Sequence, residues 1–151
     1  MKELTHVDNQ GRIDMVDVGG KKPQQRMAKA TGSISLSAEA RELIRKNLIK
    51  KGDVLATAKI AGIQAVKQTA NLIPLCHPLQ INKIDINLCL IEQGVSAESQ
   101  VRCIGRTGVE MEALVGVSVA LLTVYDMCKA VDKQMVINEI KVSEKVKKDV
   151  E

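Results

Sequence analysis

Aromatic residues are nearly absent from this 151-residue chain, which has one Tyr, no Trp and no Phe. Its core must therefore be built from Ile, Leu, Val, Ala and Met side chains. Proteins that bind single-stranded nucleic acid usually stack bases on aromatic rings, so the shortage argues against that class. The net charge of +4, from 22 basic and 18 acidic residues, is no nucleic-acid footprint either, although it suits an anionic small molecule.

Other signals are missing as well. The first residues, "MKELTHVDNQGR", are polar and carry no secretory signal, and the longest apolar stretch, 113–125, is too short to span a bilayer. The 4 cysteines include no Cys-x-x-Cys pair, which predicts reduced thiols in a cytoplasmic protein. The Walker A, Gly-x-Gly-x-x-Gly, His-Glu-x-x-His and Gly-x-Ser-x-Gly motifs are all absent, so none of the activities they indicate is expected.

The hydrophobic pattern that is present predicts the order strand, two helices, two strands, helix, strand. Ser37 and Asp53 are predicted N-caps of the consecutive helices, and the apolar third helix should be buried between the sheet and another layer. This order predicts a single α+β domain close to ferredoxin-like, with an antiparallel sheet covered by helices on one face. The predicted segments are strands 29–36, 81–92, 95–104 and 134–142, helices 37–53 and 54–73, a loop and helix over 105–131, an N-terminal arm over about 1–27 and a flexible charged tail over about 143–151.

The stretch "LIPLCHPL" (72–79) places Cys76 and His77 side by side between two prolines. A zinc site would need three or four ligands, yet the other cysteines lie on predicted strands and a helix, and His6 lies in the arm. A thiol nucleophile would need a lowered pKa and a nearby base, which the sequence does not show. A rigid turn without a site role, or a binding loop in which His77 presents its ring nitrogens, are the remaining interpretations.

Three further stretches carry charges in places where chemistry is possible. Glu110 and Glu112 flank Met111 at a helix start, where acidic residues favour the helix dipole but could also recognise the N–H edge of a guanine. Asp126 and Lys129 are one turn apart on the most apolar helix, as an ion pair at its exposed end or as a proton-transfer pair. Lys50 and Lys51 lie at a helix junction, where they complement a helix C-terminus or hold phosphate.

Together, "IPLCHPL", "TGVEMEAL" and "YDMCKAV" resemble the molybdenum cofactor biosynthesis protein C (MoaC) family. With "LTHVDNQG" and "MVDV", the matching pieces cover most of residues 4–137 in the same order. The resemblance implies a pyrophosphate-releasing lyase that converts 3′,8-cyclo-7,8-dihydro-GTP, supplied by a radical-SAM partner enzyme, into cyclic pyranopterin monophosphate. It further implies a ferredoxin-like fold, no metal or organic cofactor, no nucleic-acid or membrane partner, and a homohexamer of three dimers with sites at subunit interfaces.

The resemblance also implies roles for particular residues. Asp126 would be the catalytic carboxylate, and Lys51 and Lys129 the catalytic lysines. At least one of these lysines is expected to have a pKa lowered by crowded positive charge. The substrate would be lined by Leu75, Cys76, His77, Glu110, Met111 and Glu112.

The C-terminal segment departs from the family pattern. Family members usually end in a Lys-Ser-Gly-Gly-Lys-Ser-Gly-type segment, whereas this chain reads "KVSEKVKKDVE". Lys145 is the candidate for the first of those lysines. Two other functions fit the residues: a ferredoxin-like module that binds a nucleotide and regulates a partner without turnover, and a metal-dependent hydrolase that uses His77.

Overall fold

The computed structural model describes residues 7–150, and they form one four-stranded antiparallel sheet with helices against one face. His6, assigned above to the N-terminal arm, lies outside the described residues. The strands are β1 (Gln24–Ser35), β2 (Ile81–Ile91), β3 (Gly94–Gly105) and β4 (Val136–Asp149), and the helices are α1 (Ala38–Arg45), α2 (Val54–Lys67), α3 (Thr69–Leu72) and α4 (Glu110–Cys128).

The strand order across the sheet is β2-β3-β1-β4, and every neighbouring pair is antiparallel. This is the order that two strand–helix–strand units give when their strands interleave, so the predicted ferredoxin-like α+β class is confirmed. The β2–β3 hairpin closes with two residues between Ile91 and Gly94, as its alternating pattern predicts.

The two predicted helix caps are also present. The Ser37 hydroxyl accepts a hydrogen bond from the Ala40 N–H, and the Asp53 carboxylate accepts one from the Ala56 N–H. Both helices are shorter than predicted: α1 ends at Arg45, and α2 ends at Lys67 before the short α3.

Helix α4 packs against β1, β3 and β4 and is buried, as its apolar sequence predicts, but its other neighbour, α2, lies beside it on β2 of the same sheet face and forms no separate layer. α2 and α4 approach closely at Gly62, which has no side chain. A Cβ at this position would lie 3.0 Å from the carbonyl oxygen of Gly116, so a larger residue would push the two helices apart. By length and composition alone α4 could cross a membrane, but more than half of its most apolar window is buried inside this domain. Its hydropathy is therefore explained by packing in the core.

The two ends of the chain are more ordered than their composition suggested. β4 continues through the predicted flexible tail to Asp149, because the consecutive residues 144–149 each lie opposite a residue of β1. β1 likewise begins at Gln24, inside the predicted arm. Both corrections have one cause: cross-strand hydrogen bonds form whatever the charge of the side chains, and a charged strand is stable when its partner is a central strand.

Candidate active site

The three predicted catalytic residues, Lys51, Asp126 and Lys129, meet at the C-terminal end of α4. The Lys51 ammonium donates to the Asp126 carboxylate at 2.7 Å and to its backbone carbonyl at 2.9 Å. Lys129 Nζ lies 2.7 Å from the other carboxylate oxygen. We call this group the ion-pair cluster. Its side chains remain 47–55% exposed, so they are open to a molecule that approaches from outside.

Local sequence explains how the ion-pair cluster is built. Lys129 is the C-cap residue of α4, three positions after Asp126, so the two side chains share one helix face. Lys51 comes from the loop between α1 and α2. That loop turns sharply at Gly52, whose φ of +104° favours glycine, and Asp53 then starts α2.

The ion pairs set the protonation states of the cluster. Hydrogen bonds from Lys129 and then Lys51 lower the pKa of Asp126 to about 2. The hydrogen bond to Asp126 in turn raises the pKa of Lys129. The pKa of Lys129 therefore shifts opposite to the lowering that was predicted for at least one of the two lysines, because its nearest charged neighbour is a carboxylate and not another cation.

All six predicted substrate-binding residues border one cavity of about 300 Å³ at the opposite, N-terminal end of α4. This volume lies at the lower end of the range for small-molecule sites. We call this cavity the binding pocket. Its predicted lining is Leu75, Cys76, His77, Glu110, Met111 and Glu112, and Val16, Val18, Lys21, Leu79, Thr107 and Gly108 complete it.

Cys76 and His77 border the same pocket although they are adjacent in sequence. Their segment is not extended: α3 ends before Pro74, and the Cys76 N–H donates to the Ile73 carbonyl at 3.1 Å, which closes a turn. Burial, and then the nearby Glu112, raise the pKa of the Cys76 thiol. A nucleophilic cysteine needs the opposite shift, so this environment argues against the thiol interpretation.

Glu112 is the most unusual group in the pocket. It is 4% exposed, and this burial, with a smaller contribution from Glu110, raises the pKa of its carboxyl above the ordinary 4.5. A buried carboxyl without a cation beside it is costly. It is a strong acceptor for a ligand that presents N–H donors.

A second cavity of about 230 Å³ adjoins the binding pocket and shares Gly108 and Glu110 with it. Its lining is cationic, with Arg26, Lys145 and Lys147. Lys145 Nζ lies 3.3 Å from a Glu110 carboxylate oxygen. The buried Arg26 Nε has no hydrogen-bond partner within residues 7–150.

Sequence reasoning missed Lys21 and Arg26. Both belong to the "KKPQQR" segment (21–26), whose cluster of cations was a usable signal. The segment was interpreted as part of a flexible arm, and only the pairing of β1 with β3 and β4 brings its end beside α4.

A cavity of about 450 Å³, larger than the binding pocket, lies elsewhere, on the face of the sheet that no helix covers. It contains none of the nine predicted site residues, and its Lys29 is already paired with Glu144 at 3.5 Å. Convergent chemistry and not size identifies the site here. In the part of the chain that the structure describes, no group of three His, Cys, Asp or Glu residues could hold a metal ion.

The ion-pair cluster and the binding pocket lie at opposite ends of one helix. Because α4 has 19 residues and rises about 1.5 Å per residue, it is about 28 Å long. Glu112 is in its first turn and Asp126 in its last, roughly 20 Å apart along the axis.

Comparison with known proteins gives consistent matches over nearly the whole chain. The model of the MoaC family matches residues 15–148. A cyclic pyranopterin monophosphate synthase from Desulfitobacterium hafniense is 54% identical over 144 residues, which is 95% of this chain and 88% of the relative. A protein of the same name from Novosphingobium aromaticivorans is 50% identical over 145 residues, 96% of this chain and 92% of the relative.

Proposed function

Because the chain belongs to the MoaC family, we propose that it forms cyclic pyranopterin monophosphate from 3′,8-cyclo-7,8-dihydro-GTP and releases pyrophosphate. The curated relatives are named as synthases, which favours an enzyme over a regulatory nucleotide-binding module. One structural observation carries the detailed proposal: the chain has both a binding pocket and a charged acid–base cluster, but at opposite ends of α4.

This separation implies that two copies of the chain build each active site. A general acid or base must come within hydrogen-bond reach of the atom it serves, about 2.6–3.2 Å. Two groups roughly 20 Å apart on a rigid helix cannot both reach one reacting centre. We infer that the binding pocket of one subunit faces the ion-pair cluster of a partner subunit, as the expected hexamer of three dimers allows.

The binding pocket holds the base of the substrate. Glu112, which is buried and has no cation paired with it among residues 7–150, accepts from the N–H edge of a guanine-derived ring. His77 offers ring nitrogens to the same ligand, and the turn at Ile73–Cys76 fixes its position.

The cationic cavity beside the pocket holds the triphosphate. Arg26, Lys145 and Lys147 converge there, and the unpartnered Nε of Arg26 gains a phosphate oxygen when the substrate binds. Lys145 thereby serves as the candidate for the missing family lysine. Because β4 is a paired strand up to Asp149, this cation is carried on the sheet and not on a glycine-rich closing segment.

The ion-pair cluster performs the proton transfers. Asp126 stays ionised and orients both ammonium groups, and Lys129 begins as a proton donor because its pKa is raised. When the cationic cavity of the partner subunit approaches, like charge would lower the lysine pKa values and allow a lysine to act as base. In the last step a ribose hydroxyl loses its proton to this cluster, its oxygen bonds to the α-phosphorus, and the bond to the pyrophosphate oxygen breaks.

The cellular setting belongs to the same proposal. The four cysteines are all free, as is typical of a reducing cytoplasm. The family resemblance implies that a radical-SAM enzyme makes the substrate, so we expect that enzyme to act immediately before this one.

Product analysis tests the proposed activity. Mass spectrometry of a reaction that contains GTP and the radical-SAM enzyme should show cyclic pyranopterin monophosphate and pyrophosphate only when this protein is added. Unchanged substrate after its addition would favour the regulatory module. Exhaustive chelation during this step should leave the rate unchanged, whereas loss of activity would support the metal-dependent hydrolase.

Mixing two inactive variants tests the shared site. Assayed at a substrate concentration well below KM, Asp126→Asn and His77→Ala should each have little activity, but co-refolded in equal amounts they should regain roughly a quarter of the wild-type activity. Random pairing makes half of the dimers mixed, and each mixed dimer has one intact site of two. If the mixture remains as inactive as its components, both clusters serve one chain and the two-subunit site is wrong.

A further inference from the structure

Asp132 is a buried carboxylate that has no place in the proposed chemistry. It is 6% exposed and follows the end of α4, six positions after Asp126. Its two oxygens accept hydrogen bonds from two backbone N–H groups. Ser37 donates to Oδ2 at 2.6 Å, and Gln134 donates to Oδ1 at 2.9 Å.

These two hydrogen bonds join separate parts of the fold. Gln134 lies in the same turn as Asp132, whose own N–H donates to the Cys128 carbonyl, so this turn is fixed to the end of α4. Ser37 is the N-cap of α1. Asp132 therefore attaches the last turn of α4 to the start of α1.

The same two parts also carry the ion-pair cluster. Asp126 and Lys129 belong to the end of α4, whereas Lys51 belongs to the loop that follows α1. Within residues 7–150, hydrogen bonds between segments 37–53 and 126–135 are limited to those of Lys51 with Asp126 and that of Ser37 with Asp132. α1 contributes one buried residue, Ala40, and the loop after it is anchored in the core by Ile49, two positions before Lys51. Asp132 supplies the hydrogen bond that fixes the other end of this segment, at Ser37.

We propose that Asp132 is a positioning residue for catalysis: by clamping α1 to the end of α4 it places Lys51 within reach of Asp126. This inference rests on the proposed function of the cluster. Lys129 does not depend on the clamp, because it shares a helix with Asp126. Loss of the clamp should therefore displace one lysine and leave the other in place.

The variant Asp132→Asn tests the clamp with little change of shape. An amide has one acceptor oxygen, so its nitrogen would face one of the two backbone N–H donors and lose that bond. We expect kcat to fall on the order of 10–100-fold, as a small misplacement of a catalytic group does, with KM little changed. Asp132→Glu keeps the carboxylate on a longer arm and should recover part of kcat.

Ser37→Ala is the matched control. It removes the capping hydroxyl at the same end of α1, together with the weak contact of that hydroxyl with Asp132, but keeps the backbone N–H that gives Asp132 its stronger hydrogen bond. This variant should retain a near-normal kcat. A fall equal to that of Asp132→Asn would show that general damage to α1, and not the clamp, explains the loss.

A second readout does not depend on turnover. Lysines are labelled with an amine-reactive acetylating reagent, and their rates are compared by mass spectrometry. In Asp132→Asn, Lys51 should react severalfold faster than in the wild type, while Lys129 is unchanged. Equal acceleration of both lysines, or of neither, would overturn the proposal.

If the Asp132→Asn variant does not fold, both measurements are made on Asp132→Glu. If the wild type releases no pyrophosphate, the proposed function fails while the Lys51 labelling still decides the clamp.

Discussion

The two ends of α4 shift the pKa values of their carboxyl groups in opposite directions. At the C-terminal end, Asp126 is half-exposed between two ammonium groups, and hydrogen bonds from them lower its pKa to about 2. At the N-terminal end, Glu112 is 4% exposed, and burial raises its pKa. One helix therefore carries at one end a carboxylate that stays ionised, and at the other a carboxyl group that loses its proton less easily than usual.

The difference follows from what surrounds each group. Asp126 lies where α4 emerges from the core, so cations from α4 and from the α1–α2 loop can reach it. Glu112 lies where α4 enters the core, beside Cys76 and Cys103, whose pKa values are raised chiefly by burial. Ion pairing keeps Asp126 ionised, as a group that orients proton donors requires. Desolvation leaves Glu112 as a strong acceptor for the N–H donors of a ligand.

The largest effect should come from Asp126→Asn, which removes the fixed charge. Turnover should fall about 10²–10⁴-fold, because the neutral amide carries no charge and has one acceptor oxygen where the carboxylate offered one to each lysine. The melting temperature should change by no more than about 4 °C, since exposed ion pairs contribute little to stability. Pyrophosphate release and a thermal melt on the same preparation measure both effects.

Asp85→Asn provides the control for a lost carboxylate outside either group. Asp85 lies on β2 and pairs only with Lys83, at 3.5 Å. Its variant should release pyrophosphate at the wild-type rate. If Asp126→Asn does the same, Asp126 has no catalytic role.

His77→Ala should have a smaller effect, at the other end of the helix. Loss of one hydrogen bond to a charged ligand costs about 1.5–3 kcal/mol, or roughly 10–100-fold in kcat/KM. We expect most of it in KM, because the binding pocket holds substrate and the ion-pair cluster transfers protons. Gln80→Ala, an exposed change three positions away, should leave both constants unaltered. A loss confined to kcat would move His77 from binding to proton transfer.

The smallest effect should come from Glu112→Gln, and it is a gain in thermal stability where the preceding variants lose activity. Because the folded pKa of Glu112 is raised, its burial costs nothing below the ordinary pKa of 4.5, and destabilises the fold as pH rises through the folded pKa. Glu112→Gln should therefore melt higher than the wild type at pH 7, and the difference should vanish near pH 4. Thermal melts across this pH range measure it.

Glu39→Gln is the matched control, since Glu39 is also an acidic residue in the first turn of a helix but is exposed. Its removal should slightly lower the melting temperature at pH 7, because an exposed carboxylate there stabilises the helix by about 0.3–1 kcal/mol. A similar decrease for Glu112→Gln would show that Glu112 is stabilised by its environment and would remove the contrast between the two ends.

Local patterns predicted most of the fold because each depends on near neighbours. Ser37 and Asp53 cap the helices they were predicted to cap, and the alternation over 81–104 gives the β2–β3 hairpin. The length of β4 could not be predicted this way. Its "SEKVKKD" segment is too charged to suggest a strand, and its order comes from pairing with β1, over a hundred residues earlier.

For the candidate site as well, the sequence predicted what depends on near neighbours, and the tertiary structure decided the contacts between distant segments. The residue types at positions 51, 76–77, 110–112, 126 and 129 were evident from the sequence, since motif spacing is a property of the chain itself. Only the tertiary structure decided that Lys51 reaches Asp126 and that Lys21 and Arg26 border the cavities at the other end of α4. It also decided that the ion-pair cluster and the binding pocket lie roughly 20 Å apart along the axis of α4. Spacing along a chain fixes distances within one helix, whereas contact between elements depends on how a whole sheet and its helices pack.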